Sequence, residues 1–211
     1  MSAMAIELLQ PGDEAGFVQL LAIYRDAIDP SEQKTEAALR AMLDRETQRF
    51  LVAREGAAVI AFAILWLPTS ADFWSLEYMA VAPAHRGGGL GAKMFRASVA
   101  AARRPFGVIE VEAPTGDLQR RRLGFYVRLG CRRLGAIDYQ LPLRTYGEPP
   151  PMWLLMHGGE DVANLARERV RDWLSCMYAE IYDEAPDDPR IAQMLADDSA
   201  QIRLTALPST P

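Results

Sequence analysis

Leu76-Glu77-Tyr78-Met79-Ala80-Val81-Ala82-Pro83-Ala84-His85-Arg86-Gly87-Gly88-Gly89-Leu90-Gly91 is the stretch on which the reading of this sequence turns. Its first half is apolar and rich in strand formers, and Pro83, which has no amide to donate, ends the strand. The glycines then open a helix whose apolar spacing runs over residues 90–103. A strand, a short loop and a glycine turn at a helix start make a place for an anion. Successive backbone N–H groups in such a turn form a concave nest, and the helix start adds partial positive charge. Glycine suits the position because side chains would hold a pyrophosphate at a distance. Arg86, just before the glycines, can add charge-assisted hydrogen bonds. A plain surface turn is the bland alternative, and the flanking strand and helix argue against it.

Three phosphate-binding patterns compete for these glycines. A Walker loop needs Gly-Lys followed by Ser or Thr, whereas Lys93 stands between Ala92 and Met94, so that pattern fails. Gly87-x-Gly89-x-x-Ala92 fits the dinucleotide fingerprint, with Glu110 or Glu112 about 20 residues on, where a ribose-binding acid belongs. Against it, residues 82–86 leave a loop between the strand and the first glycine. The surrounding chain also lacks the repeated βαβ units of a doubly wound sheet. The third pattern is Arg86-x-x-Gly89-x-Gly91.

Working outward, residues 6–10 read as a strand, and Phe17, Leu20, Leu21, Tyr24 and Ile28 mark one face of a helix over 13–28. A second helix is expected over 32–45, then strands over 50–54 and 57–67 joined at Glu55-Gly56, and a strand over 73–82. After the glycine turn and its helix come a strand at 108–112 and a helix at 117–129 closed by Gly130. Strands at 132–140 and 152–156 follow. A helix over 161–182 carries Val162, Leu165, Val170, Leu174, Met177 and Ile181 on one stripe, and 191–195 reads as one more short helix. The expectation is one mixed α/β domain over residues 1–158 with a helical extension over 159–211. That apolar stripe must pack on its own domain or on a second subunit.

The 211 residues are 50% hydrophobic and 24% charged, an ordinary globular composition that excludes disorder for most of the chain. The longest apolar run, 57–68, falls well short of the ~20 residues that span a bilayer. The opening residues have no basic region before an apolar one, so no signal peptide is read there, and the cytoplasm is the expected address. Two cysteines and two histidines cannot build a disulfide framework or a histidine-based metal site, and no metal is expected. Net charge is −5, with 23 Lys+Arg against 28 Asp+Glu, which speaks against nucleic acid as a partner. Yet Arg103, Arg104, Arg120, Arg121, Arg122, Arg128, Arg132 and Arg133 crowd one stretch. A local basic region in an acidic protein suits a small anionic ligand.

Leu123-Gly124-Phe125-Tyr126-Val127-Arg128-Leu129-Gly130-Cys131 supplies a second signature, with Tyr126 placed 35 residues after Gly91. Together with Val81-x-Pro83-x-x-Arg86-x-x-Gly89-x-Gly91 and the order of elements, it resembles the GNAT family of N-acetyltransferases over roughly residues 5–158. The resemblance implies a central mixed, mostly antiparallel sheet, splayed between its fourth and fifth strands and flanked by helices. It implies transfer of an acetyl group from acetyl-CoA to a primary amine, by direct attack in a ternary complex. The main chain of Met79, Ala80 and Val81 would hold the thioester arm. Arg86, Gly87, Gly88, Gly89, Leu90 and Gly91 would hold the pyrophosphate. Tyr126 would be the general acid. Gln119 stands where the family often has an Asn that contacts the cofactor arm, and Cys131 where an aromatic commonly follows Leu-Gly.

Several side chains are then weighed on their own chemistry. Glu77, Met79 and Val81 alternate along one strand face, which would put Glu77 beside the cleft as the base; a surface glutamate is the alternative. Tyr126 can equally be a core aromatic with a satisfied hydroxyl. Glu110 and Glu112 alternate with Ile109 and Val111, so both point to one face, where they can bind a cationic substrate or share in deprotonation. Tyr139 and residues 144–151 can line the same cleft, and the run Arg120–Arg122 can meet the nucleotide phosphates. The acceptor would be a small-molecule or peptide amine, the protein a monomer or homodimer, and neither nucleic acid nor membrane is a partner. A non-catalytic acyl-CoA-binding module and a dinucleotide-binding oxidoreductase remain the other readings.

Overall fold

The computed structural model describes residues 4–135, 137–142, 150–197 and 199–208. The fold is mixed α/β. Its elements are β1 (Met4–Leu8), α1 (Glu14–Ala27), α2 (Glu36–Leu43), β2 (Gln48–Glu55), β3 (Ala58–Trp66), β4 (Phe73–Val81), α3 (Leu90–Ala102) and β5 (Phe106–Glu112). There follow α4 (Asp117–Arg128), β6 (Arg132–Leu134), β7 (Met152–His157), β8 (Asn164–Ala166), α5 (Arg167–Tyr182), α6 (Pro189–Met194) and β9 (Gln201–Ala206). They gather into two compact units. The first takes the chain up to Leu67 with Trp74–Arg104, and the second takes Pro68–Phe73 with the chain from Pro105 on.

In the first unit β1, β2, β3 and β4 pair in sequence order, each antiparallel to the next. β3 is buried from Val59 to Trp66 on both its faces, which is why it reads as one continuous apolar run. Asp13 caps α1 by accepting from the Gly16 amide at 2.9 Å. The helix buries Phe17, Leu20, Leu21 and Tyr24 in one cluster with Phe50, Val52, Phe62 and Ile64. The helix expected over 32–45 is corrected: Pro30–Glu32 forms a single 3-10 turn, and α2 starts only at Glu36. Two caps in succession explain the break, Asp29 accepting from Ser31 and Thr35 accepting from Ala38.

The second unit is a sheet in the order β5-β7-β6-β9-β8, again antiparallel at each pairing. The strand expected over 132–140 is corrected to three residues, and Tyr139 returns only as an isolated bridge to Met152. The helix expected from 161 begins at Arg167, because Asn164–Ala166 pairs with β9 instead. β9 alternates buried Ile202 and Leu204 with exposed Gln201, Arg203 and Thr205. α5 buries Val170, Trp173, Leu174, Met177 and Tyr178. The Trp173 ring lies 5.1 Å from Phe73 and 5.5 Å from Phe106, and its indole N–H donates to Asp72 at 3.2 Å. Arg132, one of the clustered arginines, grips the turn before β8. Its guanidinium donates to the carbonyls of Gly158, Gly159 and Val162 at 3.1, 2.6 and 2.6 Å. No helix among the described residues is long and apolar enough to cross a membrane.

Candidate active site

The glycine turn belongs to the first unit. β4 stops at Val81, Pro83–His85 makes one 3-10 turn, and α3 begins at Leu90, which is buried and pins the helix start. Gly89 caps α3 in the left-handed region (φ 74°) with no side-chain cap, and Gly87 is left-handed as well (φ 86°). A Cβ added to Gly87, Gly88 or Gly89 would meet nothing within 4 Å. Gly88 is outside the left-handed region, so neither its backbone nor its packing demands a glycine. The open space above the turn therefore suits a ligand that approaches the backbone closely. Arg86 braces this turn: its Nε–H donates to the Val81 carbonyl at 3.0 Å, and Nη2 lies 3.8 Å from Asp26 of α1. Met79, Ala80 and Val81 face Ala63, Phe62 and Ala61 of β3, and Gly91 lies in the first turn of α3.

Glu77 sits at a break in the β4 register. Tyr78 faces Ile64 while Leu76 faces Leu65, so Glu77 is the extra residue of a β-bulge. Strict alternation stops there, and the period-two argument that grouped Glu77 with Met79 and Val81 is corrected accordingly. The bulge aims the side chain at β2, where Gln48 donates to its Oε1 at 2.8 Å. Burial raises the Glu77 carboxyl above the usual carboxylate range, against the Gln48 hydrogen bond and the charges of Lys34 and Arg45. Such a carboxylate is a stronger base than an exposed one. Gln48 was missed by sequence reasoning, and nothing local could have flagged a partner on another strand.

The other candidate residues lie in the second unit. Tyr126 lies in the last turn of α4, and its carbonyl accepts from the Leu129 and Cys131 amides, each at 3.1 Å. Its phenol is buried, which raises its pKa; the neighbouring Cys131 adds to the shift and Arg122 opposes it. The Cys131 thiol is itself pushed up to about 12 by burial. Glu110 and Glu112 share a strand face, yet they join different groups. Glu110 accepts from the hydroxyl of Tyr139 and, at 2.6 Å, from that of Tyr182 on α5. Glu112 accepts from Gln119 at 2.6 Å and from Arg122 at 3.4 Å. Gln119 and Glu112, assigned separately to cofactor and substrate, are thus partners of each other. Arg120 pairs with Asp117 at 2.5 Å. Of the stretch 144–151, residues 144–149 lie outside the described residues. Among the described residues no group of three His, Cys, Asp or Glu could hold a metal ion.

Comparisons with known proteins bear on the family and the fold. The Acetyltransferase (GNAT) family profile matches residues 17–131, more than half of the chain. An uncharacterized protein of Dictyostelium discoideum is 25% identical over 151 residues, 71% of this chain, which spans 33% of that protein's length. Among solved structures, a putative GNAT-family acetyltransferase from Bacteroides thetaiotaomicron has a TM-score of 0.70 at 24% identity, covering 84% of this chain and 98% of its own. The ribosomal-protein-S18-alanine N-acetyltransferase of Escherichia coli has a TM-score of 0.54 at 16% identity, covering 76% and 99%. These structural likenesses bear on the fold. With the family profile laid over the glycine turn, Glu77 and Tyr126, the chain belongs to the GNAT family of acetyltransferases.

Proposed function

We propose that this protein is an N-acetyltransferase that moves an acetyl group from acetyl-CoA to a primary amine of a small molecule or peptide, by direct attack in a ternary complex. The observation that carries the reading is the glycine turn, whose open approach no internal packing accounts for. Gly87, Gly88, Gly89, Leu90 and Gly91 would hold the pyrophosphate through backbone N–H groups, with Arg86 stiffening the turn and adding positive charge. Acetyl-CoA supplies the acyl group as an activated thioester. The main chain of Met79, Ala80 and Val81 orients the donor arm, and a backbone N–H polarises the reacting carbonyl. Glu77 takes a proton from the incoming ammonium, so that a neutral amine attacks. Tyr126 stays protonated at working pH and donates its phenol proton to the leaving sulfur. Glu110 and Glu112 attract the cationic acceptor, and Gln119 meets the donor arm. We place the reaction in a monomer or homodimer in the cytoplasm, in a chain whose residues beyond 158 add β8, α5, α6 and β9 to the second unit.

An amine-library screen with acetyl-CoA as donor, reading free CoA thiol, tests this proposal. Peptides with a free N-terminal alanine belong in the library. Acceptor-dependent thiol release is expected. Tight acetyl-CoA binding with no acceptor-dependent release would make the protein a binding module instead. Thermal stabilisation by NAD or NADP but not by acetyl-CoA would overturn the reading outright.

A further inference from the structure

Gln48 opens β2 with 7% of its surface exposed, and only one end of its amide is used. Nε2 donates to Glu77 Oε1 at 2.8 Å, across β3, whereas the amide oxygen is buried and meets no donor among the described residues. A buried carbonyl oxygen without a partner is costly, and a glutamine that only tied β2 to β4 would not need one. Turning the amide over gives no relief, because its oxygen would then stand against the Glu77 carboxylate. The neighbours of Glu77 have other partners or bring charge. Tyr24 on α1 accepts from the Lys34 amide at 2.8 Å, and Tyr78 on β4 donates to the Glu32 carbonyl at 3.1 Å. Burial lifts both phenols above the ordinary phenol value, so they stay neutral, and the Glu32 carboxyl acts on both. Lys34 and Arg45, before and after α2, bring positive charge to Glu77.

The two charge states of Glu77 meet this amide differently. A carboxylate offers only acceptors, so it takes the Nε2 hydrogen bond and repels the amide oxygen beside it. A carboxylic acid offers an acceptor and a donor on one edge, which match the donor and acceptor of the amide. Nε2–H then donates to Glu77 Oε1 while Glu77 Oε2–H donates to Gln48 Oε1. The terminal torsions of both side chains are soft, so small rotations close this ring from the hydrogen bond already present. The ionised pair makes one hydrogen bond and the protonated pair two, and the second falls on the oxygen that is otherwise orphaned. We propose that Gln48 is a positioning residue for Glu77, closing this two-bond ring with the carboxylic acid that forms once Glu77 takes the acceptor's proton. In that step an N–H bond of the ammonium breaks, its electron pair stays on nitrogen, and an O–H bond forms on Glu77. The inference deepens the reading of Glu77 as the base and rests on it.

The test uses the full chain labelled with carbon-13 at the δ carbon of glutamate and glutamine, titrated by NMR over the pH range in which it stays folded. Glu77→Gln and Gln48→Met assign the two resonances. As pH falls, the Glu77 carboxyl carbon is expected to move upfield. The Gln48 carbonyl carbon is expected to move downfield at the same midpoint, because its oxygen begins to accept. In Glu77→Gln the Gln48 carbon should stay still, and in Glu32→Gln the paired movement should persist. A Gln48 carbon that does not move at the Glu77 midpoint overturns the proposal, since the amide would then only donate, whatever the charge of its partner. Movement that survives in Glu77→Gln, or vanishes in Glu32→Gln, overturns it as well. Should Glu77→Gln fail to fold, the wild type compared with Glu32→Gln carries the same decision. Release of CoA thiol judges the base separately. Paired movement with undiminished release in Glu77→Gln keeps the pair and removes the base, whereas lost release with a still Gln48 carbon keeps the base and removes the pair.

Discussion

Tyr126 is buried and Glu77 partly so, and desolvation pulls each toward its protonated form, with different consequences for stability and for chemistry. Because the folded carboxyl of Glu77 titrates above its unfolded value, the fold is favoured most below that unfolded value, near 4.3, and loses stability as pH rises through the folded one. Glu77→Gln keeps an oxygen to accept from Gln48 but removes the charge. Its melting temperature should match the wild type at acid pH and exceed it increasingly toward neutrality. Turnover should meanwhile fall by about 10²–10⁴-fold if the carboxylate is the base. A melting difference that stays flat with pH would mean that Glu77 is not held in a desolvated site. Tyr126→Phe separates chemistry from packing in another way, since the ring stays and only the proton donor goes. Turnover should drop by about 10²–10⁴-fold while acetyl-CoA affinity, read by calorimetry, barely moves. Full turnover, with product release shown not to limit, would return Tyr126 to the core.

Two glycine turns, at the start of α3 and before β8, illustrate how an element can keep glycine for opposite reasons. At Gly88 nothing in the chain lies within 4 Å of an added Cβ, and the backbone is not left-handed. Gly88→Glu should therefore leave thermal stability unchanged and weaken acetyl-CoA binding by more than about tenfold, or 1.4 kcal/mol, through bulk and like charge. Unaltered affinity by calorimetry would take the pyrophosphate away from this turn. Gly158 is left-handed (φ 87°), and its Cβ would stand 2.2 Å from the Pro105 carbonyl oxygen. Gly158→Ala should cost about 1–2 kcal/mol from the backbone alone, and more from the collision, with urea denaturation as the measure. The α3 turn was legible because its glycines follow a strand and open a helix within one short segment. The bulge at Glu77 was not, because a register shift depends on β3, and no residue of β4 announces it. Likewise Arg132 reads in sequence as part of a basic run, and only the carbonyls of Gly158, Gly159 and Val162 reveal it as a clamp.

Within the second unit, the segment beyond residue 158 closes the sheet and covers its apolar side. The periodicity of α5 showed in advance that it must be buried. The strands β8 and β9 did not show, since β8 is only three residues long and β9 lies in a polar tail with two buried side chains, Ile202 and Leu204. β9 pairs with β6, and Trp173 sits between Phe73 and Phe106. A chain ending at residue 158 would leave β6 with an open edge and expose both phenylalanines, so it should aggregate on expression, as light scattering would record. A milder change isolates the contribution of packing. Trp173 is 3% exposed, and Trp173→Ala should cost about 3–5 kcal/mol in urea denaturation through the cavity it leaves. Trp173→Phe retains a ring between the two phenylalanines and loses the hydrogen bond to Asp72, about 1 kcal/mol. If the alanine variant proved no less stable than the phenylalanine one, α5 would not be held by this aromatic contact, and the insolubility of the shortened chain would have to come from the β6 edge.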